Sequence, residues 1–414
     1  MGERLKLVIV TIILRILFAP FFVHIWDVNT LQVSLYEFVH GKNPYEKLYA
    51  NSMTLQNITK LPIFYEGYAY LPHIILIFAP FYLLYLLLGC DPQPIKNVYD
   101  PTHPLKVFFS HDIYLFLFIL KLPLIVIDVL IVLKLYERSK YAALIYAVSP
   151  YTIFITSIWG MFDNIVAYFL LVALICLENE KWLRAGIAYS VALSKFYAIY
   201  AAPIIINYIF RRSGLKACLR FLTGVILMQI PTLVFFVWNP KAFLYVITFH
   251  GTRFGGGVTP LNVLWIIEDV KFNVAISRAV TLLSIALWVG ITIHLALVNM
   301  PLEKGVLLTI MVPLFLGKIV NEQYLLSVYP LLLLLTPNRA EELGRYLIIF
   351  VLLNASPGYF MLPLLSVIRI ARFISFSYLL LTDPIILSIR KLVLYIMGVL
   401  FFIKIILTIK HFLS

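Results

Sequence analysis

Asp27 stands directly after an apolar run, residues 5–26, and opens a polar, aromatic-rich stretch. That stretch carries Asn29, Gln32, Tyr36 and Glu37 and closes on Asn43, Pro44 and Tyr45. A lone acid in that place reads as an interfacial group capping a helix end. The polar and aromatic company around it points instead to a structured binding loop. Cations recur farther along the chain at Lys121, Lys195, His250, Arg253 and Lys318, each inside or beside apolar sequence. A charge at bilayer depth costs about 3 kcal/mol on insertion scales, which makes each a functional candidate.

One carboxylate facing several cations suits a displacement whose leaving group is a phosphate. The phosphate departs as an anion and needs positive charge around it rather than a proton donor. The attacking hydroxyl has a high pKa and needs a base. A single base implies inversion, since a retaining route places a second carboxylate about 5 Å away. On this reading Asp27 is the base, and Arg253, His250, Lys121 and Lys318 hold the phosphate. Asn29, Asp163, Lys195, Glu322 and Gln323 add further polar and charged groups beside apolar runs, and Trp159 and Tyr324 add aromatic faces next to them.

Plainer readings stand beside these. Lys121 and Asp128 lie seven residues apart on one helical face and would pair with each other. Asp163 would cap the helix IVAYFLLVAL, and aromatic side chains anchor at membrane interfaces. The run GGGVTP after Arg253 allows close backbone approach to a ligand, beside an arginine suited to phosphate. It is not a phosphate-binding loop of the GK[ST] type, because no such residues follow.

The elements that must position these groups are apolar helices. The chain has 414 residues, is 62% hydrophobic and only 13% charged. That little charge cannot cover the surface of a water-soluble protein of this length. We therefore expect an all-α, polytopic transmembrane protein forming one integral membrane domain over residues 1–414. Residues 5–26 are followed by no small-residue cleavage site, so they read as a retained first span rather than a signal peptide.

The formal charge of +13 is dispersed in short clusters between apolar runs: GERLK at the start, LKLYERSK at 133–140, ENEKWLR at 178–184 and RRSGLKACLR at 211–220. Such spacing is the signature of cytoplasmic loops and argues against nucleic-acid binding. The three cysteines, Cys90, Cys176 and Cys218, are scattered and form neither metal spacing nor a disulfide framework. No cofactor is indicated, a divalent cation included.

With the N-terminus inside, Asp27 emerges outside, residues 27–70 form a first external loop with a sequon at Asn57, and residues 239–273 form a second. A second span is expected from Leu71 to Cys90. The basic run ERSK then requires a return to the inside, which an outer apex at Lys121–Pro123 between two short helices would supply. Further short apolar segments meet at WGMFDN, SKFY and GKIVNEQY, as broken helices do where they line a cavity. The count is roughly 11–13 crossings around an outward-facing cavity. No internal repeat supports an inverted-repeat transporter.

Taken in order, these segments resemble the GT-C superfamily of polytopic glycosyltransferases. Within it the chain is most similar to the catalytic subunit of GPI mannosyltransferase I and its dolichyl-phosphate-mannose-dependent relatives. WDVNTLQVSLYEFVHGKNPY resembles the family's acidic first luminal loop, and YAYLP resembles the opening of its second span. KLPLIVID, VSPYTIFITSIWGMFDN, SKFYAIYAAP, FHGTR and GKIVNEQYLLSVYPLLL are similar to later family segments, so the likeness runs to about residue 337. Residues 338–414 would be C-terminal transmembrane helices outside it. The family's Asp-x-Asp reads Asp27-Val28-Asn29 here, which leaves one carboxylate and weakens the case for a metal. Ala198 replaces a proline, and GGGVTP replaces a long His-Asn-Phe-Ser run.

The resemblance implies transfer of a hexose, most readily mannose, from a polyprenyl or dolichyl phosphate to a lipid- or glycan-linked hydroxyl on the non-cytoplasmic face. On it Asn29, Asp163, Lys195, Glu322 and Gln323 would orient sugar or acceptor, and Trp159 or Tyr324 would stack on a sugar ring. The membrane would be the cell membrane of a prokaryote or the ER membrane of a eukaryote. It also implies membrane lipids as surroundings and a small membrane partner subunit, which no residue here supports. The rival from another class is a transporter or flippase of a lipid-linked saccharide. A polymerase or ligase of lipid-linked glycans is a third reading.

Overall fold

The computed structural model describes residues 2–59, 67–96, 108–252, 255–264, 270–354, 360, 363 and 384–413. It is all-helical, with helix making up 82% of it. The strands among the described residues are two-residue pieces: β1 (Ile95–Lys96) pairs antiparallel with β2 (Phe108–Phe109), and β3 (Gly256–Gly257) parallel with β4 (Ile319–Val320).

The chain begins with α1 (Glu3–Ile16), whose first-turn Glu3 and last-turn Arg15 both suit the helix dipole. The polar stretch expected as an external loop is largely helical, forming α2 (Ile25–Val39) and α3 (Pro44–Thr59). Next come α4 (His73–Leu87) and α5 (Ile113–Arg138). α5 runs unbroken through Pro123, so the apex expected at Lys121–Pro123 is absent. Proline removes one helical hydrogen bond, whereas ending the helix in an apolar setting would expose several unpaired backbone groups.

Nor is α4 the crossing expected from Leu71 to Cys90. Its start is tied to the site end by the bond from Leu71 N–H to Ser194 O. Its other end packs Tyr85 on Phe116 near the start of α5, and Asp91 N–H bonds the Asp112 carboxylate there. The chain thus ascends along α1, stays at one end through α4, and descends along α5. This route brings ERSK back beside the N-terminus with no extra apex.

The remaining helices are α6 (Lys140–Val148), α7 (Pro150–Ile153), α8 (Asp163–Glu178), α9 (Trp182–Ala192), α10 (Ala202–Met228), α11 (Ile230–Trp238) and α12 (Pro240–Thr252). They are followed by α13 (Val270–Leu297), α14 (Leu302–Phe315), α15 (Tyr329–Leu335), α16 (Pro337–Asn354) and α17 (Pro384–Leu413). Among the described residues, three helices are long and apolar enough to cross a membrane: Ile113–Arg138, Phe272–Leu297 and Ser388–Leu413. Two bent pairs raise that to five if each counts as one span: Lys140–Val148 with Pro150–Trp159, and Phe196–Met228 with Ile230–Trp238. Outward-facing Leu17, Ile226, Val237, Leu282, Ile389 and Leu407 give the body an apolar exterior.

The basic clusters converge at one end of this body. Lys140 pairs with Glu3 at 2.9 Å, Arg4 with Glu137 at 3.7 Å and Arg212 with Glu180 at 2.9 Å. Arg138 joins Glu178 and Glu303. The three helix breaks expected from the sequence gather at the opposite end, around Asp27. They are the turn between α7 and α8, the 3-10 turn Phe196–Ala201 after α9, and the 3-10 turn Glu322–Ser327 after β4.

Candidate functional site

Asp27 sits in the first turn of α2 with 31% of its side chain exposed. The Trp159 indole N–H donates to its Oδ2 at 2.7 Å, and His24 Nδ1 lies 2.7 Å from the same oxygen. The His24 ring stacks on Trp159 with centroids 4.7 Å apart, and Phe360 lies 5.6 Å from each ring. His24 is one helical turn before Asp27, and its backbone N–H bonds Trp159 O at 3.0 Å. The H-x-x-D spacing was in the sequence, but a histidine at a span end carried no signal of its own.

Trp159 is delivered by a wide π-helical turn, Phe154–Trp159, that continues α7. Such turns recur at functional sites. Gly160 ends it with φ of 90°, a backbone conformation that a side chain would strain. A Cβ there would stand 3.0 Å from Lys121 Cε and 3.1 Å from Val28.

Lys121 is where the structure corrects the sequence reading. Its ammonium donates to the carbonyls of Phe22 (2.5 Å), Ser157 (2.7 Å) and Ala19 (3.1 Å), with Ile158 O at 3.5 Å. Its three hydrogens are consumed, and it is only 1% exposed. Lys121 therefore braces the chain before His24 to the π turn before Gly160 and does not hold a phosphate. Asp128 does not pair with it either, because seven residues separate them by about 10 Å along the axis. Asp128 takes hydrogen bonds from Arg15 Nε, Tyr146 OH, Thr156 and Asn164 at 2.8–2.9 Å. Arg15, which the sequence reading passed over, was signalled by its place inside the first apolar run.

Asp163 and Lys195 form a buried pair at 2.6 Å, with Tyr197 OH donating to the other carboxylate oxygen at 2.5 Å. Lys195 also lies 5.2 Å above the Tyr70 ring and 4.6 Å above Phe162, within cation–π range. Asp163 thus stiffens the site wall through Lys195 instead of contacting the cavity, and it accepts side-chain bonds where helix capping was expected. Asn29 is buried on α2, where its carbonyl takes a 3.4 Å bond from Gln32.

Three adjoining cavities share walls at Asn321 and Gln323. The smallest, about 80 Å³, lies between Asp27, Tyr70, Phe162 and His250. A second, about 350 Å³, joins Asp27 to Trp159 and Glu322. The third, about 450 Å³, carries Lys318, Lys195, His250 and Tyr324 at its polar side and Ile199, Ile247 and Ile285 among its apolar lining. His250 Nε2 donates to Ala69 O at 2.7 Å, which fixes the ring. Arg253 lies outside the described residues. The glycines after it do not cradle a ligand at β3: Gly256 N–H and Val258 N–H bond the carbonyls of Lys318 and Val320. A Cβ at Gly257 would stand 2.1 Å from Val320 O, so the close approach is to the strand beside Lys318.

Burial raises the Asp27 carboxyl, but the adjoining His24 and the Trp159 N–H more than offset it and leave its pKa below the ordinary carboxylate value. The group is an ionised, oriented base at neutral pH. Among the described residues no three His, Cys, Asp or Glu side chains stand close enough together to hold a metal ion. The cysteines are all unpaired. No family model, curated protein or solved structure matches the chain.

Proposed function

We propose that this chain is an integral membrane glycosyltransferase. It moves a hexose, mannose by the sequence resemblance, from a polyprenyl or dolichyl phosphate to a hydroxyl of a lipid- or glycan-linked acceptor. The observation that carries the reading is Asp27 on the wall of two adjoining cavities that share Asn321 and Gln323 with the third. It is held by Trp159 and His24, close to a larger chamber that combines apolar walls with Lys318 and His250.

A polyprenyl chain suits the apolar side of that chamber, and its phosphate suits the Lys318 side, with Arg253 as a further phosphate ligand. Asp27 takes the proton of the acceptor hydroxyl as the oxygen attacks the anomeric carbon. The bond from that carbon to the phosphate oxygen breaks, and polyprenyl phosphate leaves with the electron pair. Attack opposite the leaving group inverts the anomeric centre. The positive-inside rule puts the basic end in the cytoplasm and Asp27 on the non-cytoplasmic face. The three long apolar helices, five if each bent pair counts as one span, support a polytopic protein, and roughly 11–13 crossings is the topology proposed for it.

The test is turnover. Purified protein given radiolabelled polyprenyl-phosphate mannose and a membrane lipid extract should release polyprenyl phosphate and label an acceptor, and Asp27→Asn should not. Movement of the intact lipid between leaflets, equal in wild type and Asp27→Asn and with no release, would replace this reading with the flippase.

A further inference from the structure

The middle cavity differs in kind from the chamber with Lys318. Two carboxylates, Asp27 and Glu322, line it together with the amides of Asn321 and Gln323 and the indoles of Trp26 and Trp159. Gln323 is only 5% exposed, and its side-chain oxygen accepts no hydrogen bond among the described residues. An acceptor left unsatisfied in a buried place costs about 1–3 kcal/mol, so its conformation is explained by a group that arrives from the adjoining space. Glu322 is held from behind, its Oε1 taking a 3.3 Å bond from Asn354.

We infer that this cavity of about 350 Å³ takes an uncharged, hydroxyl-rich group, a sugar or polyol, and that it is the acceptor subsite of the transfer proposed above. The argument is one of matching. The Asp27 carboxylate can only accept hydrogen bonds, and the unsatisfied Gln323 oxygen accepts as well, so the occupant must bring donors. An ionised carboxylate brings none and a phosphate few, and either would face the Asp27 charge, a repulsion strong in a low-dielectric setting. Hydroxyls supply donors and also answer amide N–H groups. Trp26 and Trp159 add apolar surface to the lining, of the sort that the C–H groups of a sugar ring pack on. A group bound here would present a hydroxyl to Asp27 across from the phosphate, as the single displacement needs. The assignment as acceptor subsite rests on the transferase reading; the class of occupant does not.

The experiment titrates the purified full chain with methyl α-D-mannopyranoside and, separately, with inorganic phosphate, reading intrinsic tryptophan fluorescence. The mannoside should give a saturable change that phosphate neither produces nor competes away. Gln323→Leu should weaken the apparent Kd about fivefold or more, the loss of one buried hydrogen bond. Gln323→Glu, which keeps the accepting oxygen, should retain binding and show that the position tolerates change. In turnover, Gln323→Leu should raise the acceptor KM by a similar factor and the donor KM by less, since Gln323 also borders the donor chamber. Competition by phosphate, or mannoside binding by Gln323→Leu equal to wild type, would overturn the inference. Mannoside binding without release of polyprenyl phosphate would leave the cavity's class standing and remove the transferase reading alone.

Discussion

Trp159 and His24 address the same oxygen of Asp27, each at 2.7 Å, and stack on one another 4.7 Å apart. This fixes the carboxylate's rotation and leaves Oδ1 with no hydrogen bond among the described residues. A base held in this way works through orientation as much as through basicity. Asp27→Asn should therefore lower kcat by about 10²–10⁴, the usual contribution of a positioned base. Trp159→Phe keeps the ring and removes only the N–H, and it should lower kcat about tenfold with donor KM nearly unchanged. Steady-state kinetics on both variants checks this; equal losses in KM would make Trp159 a binding residue instead.

The same pair of contacts sets the pH response. Burial pushes the Asp27 carboxyl up, and His24 and Trp159 together push it further down. Its folded pKa therefore lies below its unfolded value, so its stabilising contribution is present above the unfolded pKa and fades as pH falls through the folded one. Activity should hold on the acid side until the pH drops below the ordinary carboxylate range, near 3.9. His24→Ala and Trp159→Phe should each move that acid limb to higher pH, the direction in which their loss shifts the carboxyl. A pH–rate profile reads the limb directly, and a limb unmoved in both variants would detach Asp27 from the rate.

Lys121 and Lys318 looked alike in the sequence, and the structure separates them. Lys121→Met would strand several buried carbonyls at once and should cost about 3 kcal/mol or more in stability. The loss should appear in the thermal midpoint and not in inhibition by polyprenyl phosphate. Lys318 faces the large chamber, and Lys318→Met should instead weaken donor binding, with a higher donor KM and little change in melting. The two readouts exchanged between the two lysines would reverse the assignments.

What the sequence made legible was chiefly what membrane physics makes expensive. Asp27, Glu322 and Lys195 were visible because charged groups beside apolar runs need a reason to be there. The breaks at WGMFDN, SKFY and GKIVNEQY were visible because those helical segments are too short to cross. Partners were not visible, because pairing is three-dimensional. Lys121 and Asp128 share a face of α5 yet lie about two turns apart, and each finds groups from distant segments. The glycines near 256 advertised a close approach without saying to what, and the answer was the backbone of Ile319–Val320. α4 has the composition of a span and both ends at one end of the body, a fact carried by packing alone.

Arg15 offers the sharpest stability test. Its Nε bonds Asp128 at 2.8 Å, and its terminal nitrogens bond Ala147 O at 2.6 Å and Thr152 at 3.0 Å, so one guanidinium links α1, α5, α6 and α7. Both charges are buried completely. Removing one partner leaves the other charge uncompensated, so Arg15→Met and Asp128→Leu alone should each cost about 3–5 kcal/mol. The double variant removes both charges and should recover much of that, because an apolar pair of similar volume needs no compensation in this setting. Thermal midpoints of the four proteins in one detergent close the cycle. Simple additivity of the two losses would mean that Asp128 draws its support from Tyr146, Thr156 and Asn164, with Arg15 serving the carbonyls of α6 on its own account.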